Sequence, residues 1–439
     1  MELQIPAYAA NLMKKLEQAG YNVWAVGGCV RDSLLGLTPH DWDLCTSALP
    51  EQTAAVFSDL PLIRNGEKHG TIAVCTQGQV VEITTLRSEG SYTDGRHPDW
   101  VKFVPDLRQD LARRDFTVNA MAWNPAGGLQ DPFGGARDLK AGILRAVGDP
   151  ETRFREDGLR ILRGLRFAAR FSLSIDPETG RAMNDCAGLL RKIAVERIYT
   201  ELMGFLPRAT AGLLCTYAPV ICAVIPELAP AVGFQQHNPH HSLDVYCHIA
   251  HVVEAAPPAE ELRLAALLHD VGKPRCFTRD ENGVGHFKGH AQVGAEMAGE
   301  ILDRLRCPAK RKERVVTLIA YHGSCRNTTE KAVRRLLRKL GEDMTRELLE
   351  LDRADCHGKP TDDRQEVFDQ FEEVLNQVLA EKPCFSLKDL AISGRDLMAL
   401  GLAPGPDLGR ILNTLLDRVA EGSLENDRTL LLEEAQRLR

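Results

Sequence analysis

The stretch Gly27–Asp43, "GGCVRDSLLGLTPHDWD", decides the fold of the amino-terminal part of the chain. The preceding run "NVWAVGG" is apolar and ends in two glycines, which predicts a strand followed by a tight turn. "VRDSLLG" then predicts a short helix before Asp41 and Asp43. Because side chains alternate along an extended segment, these two carboxylates point to the same side and can share a divalent cation.

The glycines and the acids together fit a phosphate site with a metal. The backbone at Gly28 can approach a phosphate closely, and Arg31 is placed to reach the same anion. Phosphoryl and nucleotidyl transfer use carboxylates that hold Mg²⁺ next to the phosphates. Glu82, on the predicted strand "QVVEITTLR", is a candidate third carboxylate, and a solvent-facing strand glutamate is an equally good interpretation. An Asp-x-Asp pair alone is common in exposed loops, so this motif by itself leaves both interpretations open.

Length and composition set the class of protein. A chain of 439 residues is too long for one ordinary core, so several globular domains are expected. No apolar run is long enough to span a bilayer, and the start of the chain resembles an amphipathic helix without a signal-peptide pattern, which predicts a cytoplasmic protein with no membrane partner. The 12 cysteines include no Cys-x-x-Cys pair, which disfavours a zinc ribbon and a disulfide scaffold.

Net charge is −7 and the isoelectric point is near 6.0, so the protein as a whole does not attract nucleic acid. Any polyanion must be held by local basic patches, and three are present at residues 153–170, 304–314 and 331–339. Each alone is typical of a solvated helix face. Together they permit a track for a polyanion.

Periodicity divides the chain into a mixed part and a helical part. The first 140 or so residues contain short β-rich runs separated by turns, and helical periodicity dominates from about Leu139 onward. We therefore predict an α+β fold with a mixed or antiparallel sheet in a small head and an otherwise helical remainder. The predicted divisions are a head (1–138), a helical neck (139–207), a connector (208–239), a second helical domain (240–360) and a C-terminal helical, RNA-binding tail (361–439).

Several later segments extend the pattern of the opening stretch. They are "RRDFTVNAMAWNP" from Arg113, "DPFGGARDLKAGILRAVG" from Asp131, "REDGLRILRGLRFAARF" from Arg155 and "AVERIYTEL" from Ala194. In this order, with Gly-Gly and Asp-x-Asp before them, they resemble the class II tRNA CCA-adding enzymes and bacterial poly(A) polymerases. The resemblance covers roughly residues 20–205 and implies a polymerase-β-like nucleotidyltransferase head.

The family resemblance implies an activity and roles for individual residues. It implies template-independent building or repair of the 3'-terminal CCA of tRNA from CTP and ATP, with Mg²⁺ held by the catalytic Asp41 and Asp43. Gly28, Arg31 and Arg114 are expected at the nucleotide phosphates. An A-adding enzyme or a poly(A) polymerase is a close alternative that the residues do not separate from it.

The segment from Arg155 also has a chemical interpretation of its own. Asp157, Arg160, Arg163 and Arg166 recur every three residues, which predicts one side of a helix, and a salt-bridged exposed face is the simpler explanation. Cytosine and adenine each present an amino donor beside a ring-nitrogen acceptor. A carboxylate only accepts and a guanidinium only donates, so Asp157 with Arg160 suits C and A and rejects U and G. The resemblance implies the same role for this pair, with Arg163 and Arg166 nearer the triphosphate.

Residues 86–103, "LRSEGSYTDGRHPDWVKF", predict either a mobile loop or an ordinary long connection. In the family, a segment of this type accompanies enzymes that add the terminal A. Its presence therefore favours full CCA addition or A addition.

A second set of polar residues lies in the helical part. "LAALLHDVGKP" places His269 beside Asp270 in an apolar setting, which is costly unless the two are paired or bound to metal. The order of histidines and acids around them resembles the HD phosphohydrolase superfamily, which implies a divalent metal such as Ni²⁺, Mn²⁺ or Mg²⁺. The implied ligands are His248, His269, Asp270, His290, His322 and Asp355. The resemblance implies hydrolysis of phosphomonoesters or 2',3'-cyclic phosphates, and a domain kept only for tRNA docking is the alternative.

Two other classes of protein are less favoured. A protein uridylyltransferase also joins such a head to an HD domain, but a Gly-Tyr-Gly-Arg-like start would replace "GGCVRDSLLG" and "RRDFTVNAM" would be missing. A non-catalytic RNA-binding scaffold would not need acids at both Asp41 and Asp43.

Overall fold

The computed structural model describes residues 3–90, 101–237, 243–357, 365–381, 387–420 and 422–438. These residues form two compact units. One comprises residues 1–208 and 216–226, and the other comprises residues 209–215 and 227–439. The finer division into five parts, including a boundary near residue 360, stays a prediction.

The head of the first unit combines five helices with nine short strands. Its helices are α1 (Ala7–Gln18), α2 (Gly28–Leu34), α3 (Pro50–Val56), α4 (Leu107–Ala112) and α5 (Gly135–Lys140). Its strands are β1 (Val23–Val26), β2 (Leu44–Thr46), β3 (Leu62–Ile63), β4 (Thr71–Thr76), β5 (Gln79–Thr85), β6 (Arg87–Glu89), β7 (Val101–Phe103), β8 (Ala122–Asn124) and β9 (Gly128–Gln130).

Seven of these strands form one sheet in the order β3-β4-β5-β2-β1-β8-β9. Only β2 and β5 run parallel, and every other neighbouring pair in it is antiparallel. The predicted mixed sheet is therefore confirmed. β6 and β7 pair separately, and residues 91–100 of the predicted loop between them lie outside the described residues.

The rest of the first unit is helical and packs on the head. Its elements are β10 (Ile143–Leu144), α6 (Pro150–Glu156), α7 (Leu159–Phe171), β11 (Ser174–Ile175), α8 (Pro177–Asp185), α9 (Val195–Phe205) and α11 (Ala218–Val224). α7 buries Leu162 and Leu165 while its arginines face polar partners, as expected of an amphipathic helix. α7 thus brings a row of arginines to the head.

The second unit is helical apart from one small hairpin. Its elements are α10 (Ala211–Thr216), α12 (Val245–Ala255), α13 (Glu260–Leu268), β12 (Thr278–Arg279), β13 (Gly285–His286), α14 (His290–Arg304), α15 (Ala309–Tyr321), α16 (Glu330–His357), α17 (Gln365–Ala380), α18 (Gly394–Ala399), α19 (Pro406–Ala420) and α20 (Arg428–Arg437). α16 is interrupted at Gly341, whose φ of 76° departs from helical geometry. No helix in the described ranges is both long enough and apolar enough to cross a membrane.

Candidate active site and metal centre

Three carboxylates meet at one edge of the head sheet. Asp41 and Asp43 lie on the extended segment directly before β2. Because β2 pairs in parallel with β5, with Leu44 opposite Ile83, the residue before Ile83 lies beside Asp43. That residue is Glu82, and its side chain is exposed while both of its strand neighbours are buried. The structure therefore places Glu82 next to the predicted metal ligands.

The carboxylates repel one another. Desolvation by the surrounding protein, followed by the charges of Asp41 and Glu82, raises the pKa of Asp43 to about 6, and Arg114 opposes this shift. The Asp43 side chain is nevertheless exposed, so the desolvation comes from a concave surface that is open to solvent. In the part of the chain that the structure describes, these three acids form no ion pair within 4.0 Å. A concentration of uncompensated oxygen ligands is the donor set that Mg²⁺ prefers.

Arg114 lies against the glycine turn. Gly27 has a φ of +79°, and a Cβ atom there would lie only 2.9 Å from Nη1 of Arg114. The backbone conformation therefore favours glycine at this position, and an added Cβ would displace the end of the Arg114 side chain. Arg114 also pairs with Asp110 at 3.4 Å. Its guanidinium is close enough to the acids to lower the pKa of Asp43, which places a cation beside the three carboxylates.

Arg31 and Gly28 are the residues predicted to contact the nucleotide phosphates. Arg31 is buried, donates to Oδ1 of Asp32 at 2.8 and 2.6 Å and to Oδ1 of Asn119, and lies 4.3 Å from the centre of the Phe171 ring. These contacts hold the guanidinium inside the protein and connect α2 to α7, and its phosphate contact stays a prediction. A Cβ at Gly28 would meet only ordinary contacts, with its nearest neighbour at 3.6 Å. The unusual backbone conformation and the close contact fall on Gly27, the first of the two glycines that end the predicted strand.

The predicted helix from Arg155 is broken. α6 ends at Glu156, Asp157 has extended backbone (φ −140°, ψ 102°), and α7 begins at Leu159. Oδ1 of Asp157 accepts a hydrogen bond from the Leu159 amide at 3.0 Å, and Oδ2 pairs with Arg197 at 3.1 Å. The prediction that Asp157 shares a helix face with the arginines was wrong, because an Asp-Gly sequence favours capping a new helix over continuing the old one.

Each predicted arginine of α7 has an acidic partner. Arg160 donates to Glu156 at 2.6 Å and to the carbonyls of Arg153 and Arg113 at 3.0 and 2.9 Å. Arg166 pairs with Glu201 at 2.6 Å. The predicted base-reading and phosphate-reading groups are thus compensated by the protein in this conformation.

The pair formed by Arg163 and Asp115 joins the head motif to α7. Nε and Nη2 of Arg163 donate to Oδ2 of Asp115 at 2.9 and 2.7 Å. Burial alone would raise the pKa of Asp115, but Arg163 and a hydrogen bond from Asn119 lower it to about 2. Asp115 therefore stays ionised, and Nδ2 of Asn119 donates to its Oδ1 at 3.1 Å.

The second unit contains a buried cluster of histidines and aspartates. Ligand atoms of His248, His269, Asp270 and Asp355 lie within 4.8 Å of one another, and those of Asp270, His290 and His322 form a second such group. All six residues of the predicted HD set therefore come together from five segments of the chain. Asp270 belongs to both groups, which suits a carboxylate that bridges two cations.

Backbone carbonyls orient three of these histidines. Nδ1 of His269, His290 and His322 lies 2.7, 2.7 and 2.6 Å from the carbonyl oxygen three residues earlier. Each Nδ1 therefore donates its proton, so in the neutral imidazole Nε2 is the ligand atom that faces the cluster. Nε2 of His269 is buried and lies 3.2 Å from Oδ2 of Asp270, without the geometry of a hydrogen bond. A cation at this position would satisfy it, so the residues present fit a divalent metal.

The cluster perturbs its own titration. Burial lowers the pKa of His269, but the adjacent Asp270 and Asp355 raise it overall to about 9. Burial and the neighbouring His269 lower the pKa of His322 to about 4. Burial would raise the pKa of Asp270, but the neighbouring His269 and Lys273 hold it well below its usual range.

Two basic residues that the sequence analysis did not name complete the pocket. Nζ of Lys273 lies 2.6 Å from Asp270, and Nη2 of Arg326 lies 2.8 Å from Asp355. Both line a cavity of about 400 Å³ together with His290 and His322. Lys273 could have been found, because it lies three residues after Asp270 in "HDVGK". Arg326 gives no such signal, because its partner is 29 residues away.

Curated relatives resemble the chain over almost its full length. A CCA-adding enzyme of Levilactobacillus brevis is 34% identical over 97% of this chain and 96% of its own length. The chain belongs to the CCA-adding enzyme family. It is therefore a template-independent nucleotidyltransferase. A CCA-adding enzyme of Streptococcus mutans is 33% identical over 97% of this chain and 95% of its own length.

Solved structures and family models agree with this membership. The Bacillus stearothermophilus CCA-adding enzyme in complex with CTP superposes with a TM-score of 0.70 at 27% identity and covers 99% of both chains. Models described as "Poly A polymerase head domain" and "Probable RNA and SrmB- binding site of polymerase A" match residues 23–145 and 172–207. A model for tRNA nucleotidyltransferase domain 2 matches residues 285–435. None of these three models describes an HD phosphohydrolase domain. The support for a metal site at the histidine and aspartate cluster is therefore its geometry.

Proposed function

We propose that the protein builds or repairs the 3'-terminal CCA of tRNA from CTP and ATP without a nucleic-acid template. The observation that carries the proposal is the meeting of Asp41, Asp43 and Glu82 beside the Gly27 turn, where Arg114 supplies a cation. The family relatives named above support it. A cytoplasmic location, where tRNA and nucleoside triphosphates occur, is part of this proposal.

Phosphodiester formation would follow from these groups. Asp41 and Asp43 would hold Mg²⁺, which lowers the pKa of the attacking hydroxyl and neutralises charge on the triphosphate. The 3' oxygen of the tRNA would attack the α-phosphorus and lose its proton to solvent water. The bond between the α-phosphorus and the bridging oxygen would break, and pyrophosphate would leave. Arg114 would stabilise the negative charge of the departing pyrophosphate, while the Gly27 turn lets the backbone approach it.

Base selection would use Asp157 and Arg160. Their donor and acceptor pattern matches the amino group and ring nitrogen of C and A. Since Arg197 and Glu156 hold these two residues, an incoming base must replace those partners. The wrong base would leave buried charges unpaired, which provides discrimination. Arg163 and Arg166 would support the triphosphate from the same helix.

The product of the reaction tests this proposal and its alternative. Purified protein is incubated with tRNA lacking CCA and, separately, with an unstructured RNA, in the presence of CTP and ATP. We expect a defined CCA addition on the tRNA and little extension of the unstructured RNA. Long A tails on both RNAs would replace the proposal with poly(A) polymerase activity.

The histidine and aspartate cluster favours a second activity. We propose that it binds Ni²⁺, Mn²⁺ or Mg²⁺ and hydrolyses phosphomonoesters or 2',3'-cyclic phosphates. Six ligand groups lie in two sets that share Asp270, and the buried Nε2 of His269 faces carboxylate oxygens of Asp270 and Asp355 at 3.2 and 3.8 Å. Lys273 and Arg326 would bind the phosphate oxygens in the adjoining cavity.

Hydrolysis assays with the parent and with His269→Ala test the second activity. We expect metal-dependent release of phosphate from model monoesters, or opening of cyclic phosphates, by the parent only. Binding of Ni²⁺ measured by calorimetry should weaken in the variant, which reports on the site independently of turnover. If the parent hydrolyses none of these substrates with any of the three metals, the proposal is rejected and the cluster has a structural role.

A further inference from the structure

A basic groove adjoins the histidine and aspartate cluster. It is an open concavity of about 620 Å³ between the end of α15 and the start of α16. Its basic lining residues are Arg326, Lys331, Arg335 and Lys339, and none of the described residues that line it is acidic. The side chains of Ser324, Asn327 and Thr329 add neutral hydrogen-bonding groups. Such a lining suits phosphate oxygens.

Three of the cations form a row on one helix face. Lys331, Arg335 and Lys339 are each separated by four residues in the helical segment before Gly341, so they lie about 6 Å apart along the axis. All three are exposed. Within the described ranges, no acidic group lies within 4.0 Å of Arg335 or Lys339. A row spanning about 12 Å is longer than a single phosphate group needs and fits successive phosphates of one strand.

An aromatic ring lies in the same groove. Tyr321 lines it, and Nζ of Lys339 lies 5.6 Å from the ring centre and 3.3 Å from the hydroxyl. A ring beside a row of cations is the arrangement by which proteins hold single-stranded nucleic acid, where the ring stacks on a base and the cations bind the backbone.

The groove adjoins the cavity beside the histidine and aspartate cluster. Gly323 and Arg326 line both concavities. Tyr321 directly precedes His322, one of the cluster histidines. Asp352 accepts hydrogen bonds from the amides of Gly323 and Cys325, at 2.5 and 2.9 Å, and so fixes the turn that separates the two spaces.

We propose that this groove binds the single-stranded RNA segment preceding a terminal phosphate that the cluster processes. The inference rests on the proposed hydrolase activity and adds the substrate class: an RNA chain end, in preference to a free mononucleotide. The row of cations would hold the backbone, Tyr321 would stack on a base, and Arg326 would receive the terminal phosphate.

Cross-linking locates the RNA without requiring hydrolysis. The full chain is irradiated with a short single-stranded RNA that ends in a 3'-phosphate and carries 4-thiouridine next to the end, with metal chelated, and cross-linked peptides are mapped by mass spectrometry. We expect cross-links within residues 321–339, and their loss in Arg335→Gln/Lys339→Gln. Cross-links only elsewhere, or cross-links here that the double variant leaves unchanged, would overturn the groove even if the cluster proves to be a hydrolase.

Kinetics with two substrates tests the preference for a chain end. In Arg335→Gln/Lys339→Gln we expect KM for an RNA ending in a 2',3'-cyclic phosphate to rise about tenfold, with kcat unchanged. KM for a mononucleoside 2',3'-cyclic phosphate should stay within about twofold.

The control is Arg346→Gln. Arg346 lies in α16 beyond Gly341 and pairs with Glu342, so this variant should leave both KM values unchanged. Equal effects on the two substrates, or no effect on the RNA, would contradict the proposal. If the parent forms cross-links at the groove but has no hydrolase activity, the RNA-binding site stands and only the proposed hydrolysis is rejected.

Discussion

The Arg163 guanidinium donates two hydrogen bonds to one carboxylate oxygen of Asp115, at 2.9 and 2.7 Å, across 48 residues of sequence. Asp115 belongs to the "RRDFTVNAM" segment of the head, and Arg163 belongs to α7. The pair therefore couples the segment that carries Arg114 to the helix that follows Asp157. A nucleotide held by both segments would depend on this connection.

Removing Arg163 should destabilise the protein as well as weaken nucleotide binding. Arg163→Met leaves the buried Asp115 carboxylate without its main partner, and since Arg163 is itself partly exposed we expect a loss of about 2 kcal/mol. Urea unfolding measures it. In the double variant Asp115→Asn/Arg163→Met the loss should be smaller than the sum of the single losses. Unchanged stability in Arg163→Met would mean that the arginine serves the triphosphate alone.

Asp157→Asn should relax base choice. Asparagine presents both a donor and an acceptor, so the variant can satisfy uracil, which the carboxylate rejects. We expect the ratio of kcat/KM for CTP to that for UTP to fall by about tenfold or more. Single-nucleotide incorporation into tRNA lacking CCA measures this ratio. A variant that loses stability but keeps the ratio would show that Asp157 serves only its ion pair with Arg197.

Gly27→Ala should impair the enzyme more than Gly28→Ala. An alanine at position 27 would be strained at a φ of +79° and would press against Arg114, whereas the nearest atom at position 28 is 3.6 Å away. We expect KM for CTP to rise about tenfold in the first variant and to change little in the second. Steady-state kinetics of the two variants side by side checks this, and similar effects at both positions would argue against the steric role of Gly27.

The enzyme should need a higher Mg²⁺ concentration as the pH falls. Because the pKa of Asp43 is raised to about 6, the proton competes with the cation below that pH, and the Mg²⁺ concentration for half-maximal activity should rise. Glu82→Gln removes one of the charges that raise this pKa, so the rise should begin at lower pH. Mg²⁺ titrations from about pH 7.5 to about pH 5.5 measure both. A Mg²⁺ requirement independent of pH would contradict the assignment of Asp43 as a ligand.

Local motifs and their order made the larger features predictable. The strand before Gly27 and the extended acids follow from alternation and glycine placement. The meeting of six histidine and aspartate side chains in the second unit follows from a resemblance that preserves their order along the chain. The strand and the extended acids depend on residues that are neighbours in the sequence. The cluster depends on the order of its residues along the chain.

A helix break and several ion pairs could not be predicted from local spacing. Arg31 has Asp32 beside it, but only the folded chain brings Asn119 and Phe171 to enclose it. A spacing of three residues placed Asp157 on a helix face, although the following glycine favoured a break. Glu156 lies four residues before Arg160 and could have been paired with it, whereas the partners of Asp157 and Arg163 are 40 and 48 residues away. Such distant pairs need tertiary structure.

Incorporation of radiolabelled CTP into tRNA lacking CCA, by the parent and by Asp41→Ala, tests the central claim most directly. The account predicts rapid labelling by the parent and a loss of label to background in the variant, with the free energy of unfolding little changed because Asp41 is exposed and makes no ion pair within the described residues. Labelling that persists in folded Asp41→Ala, or a folded parent that incorporates none, would contradict it.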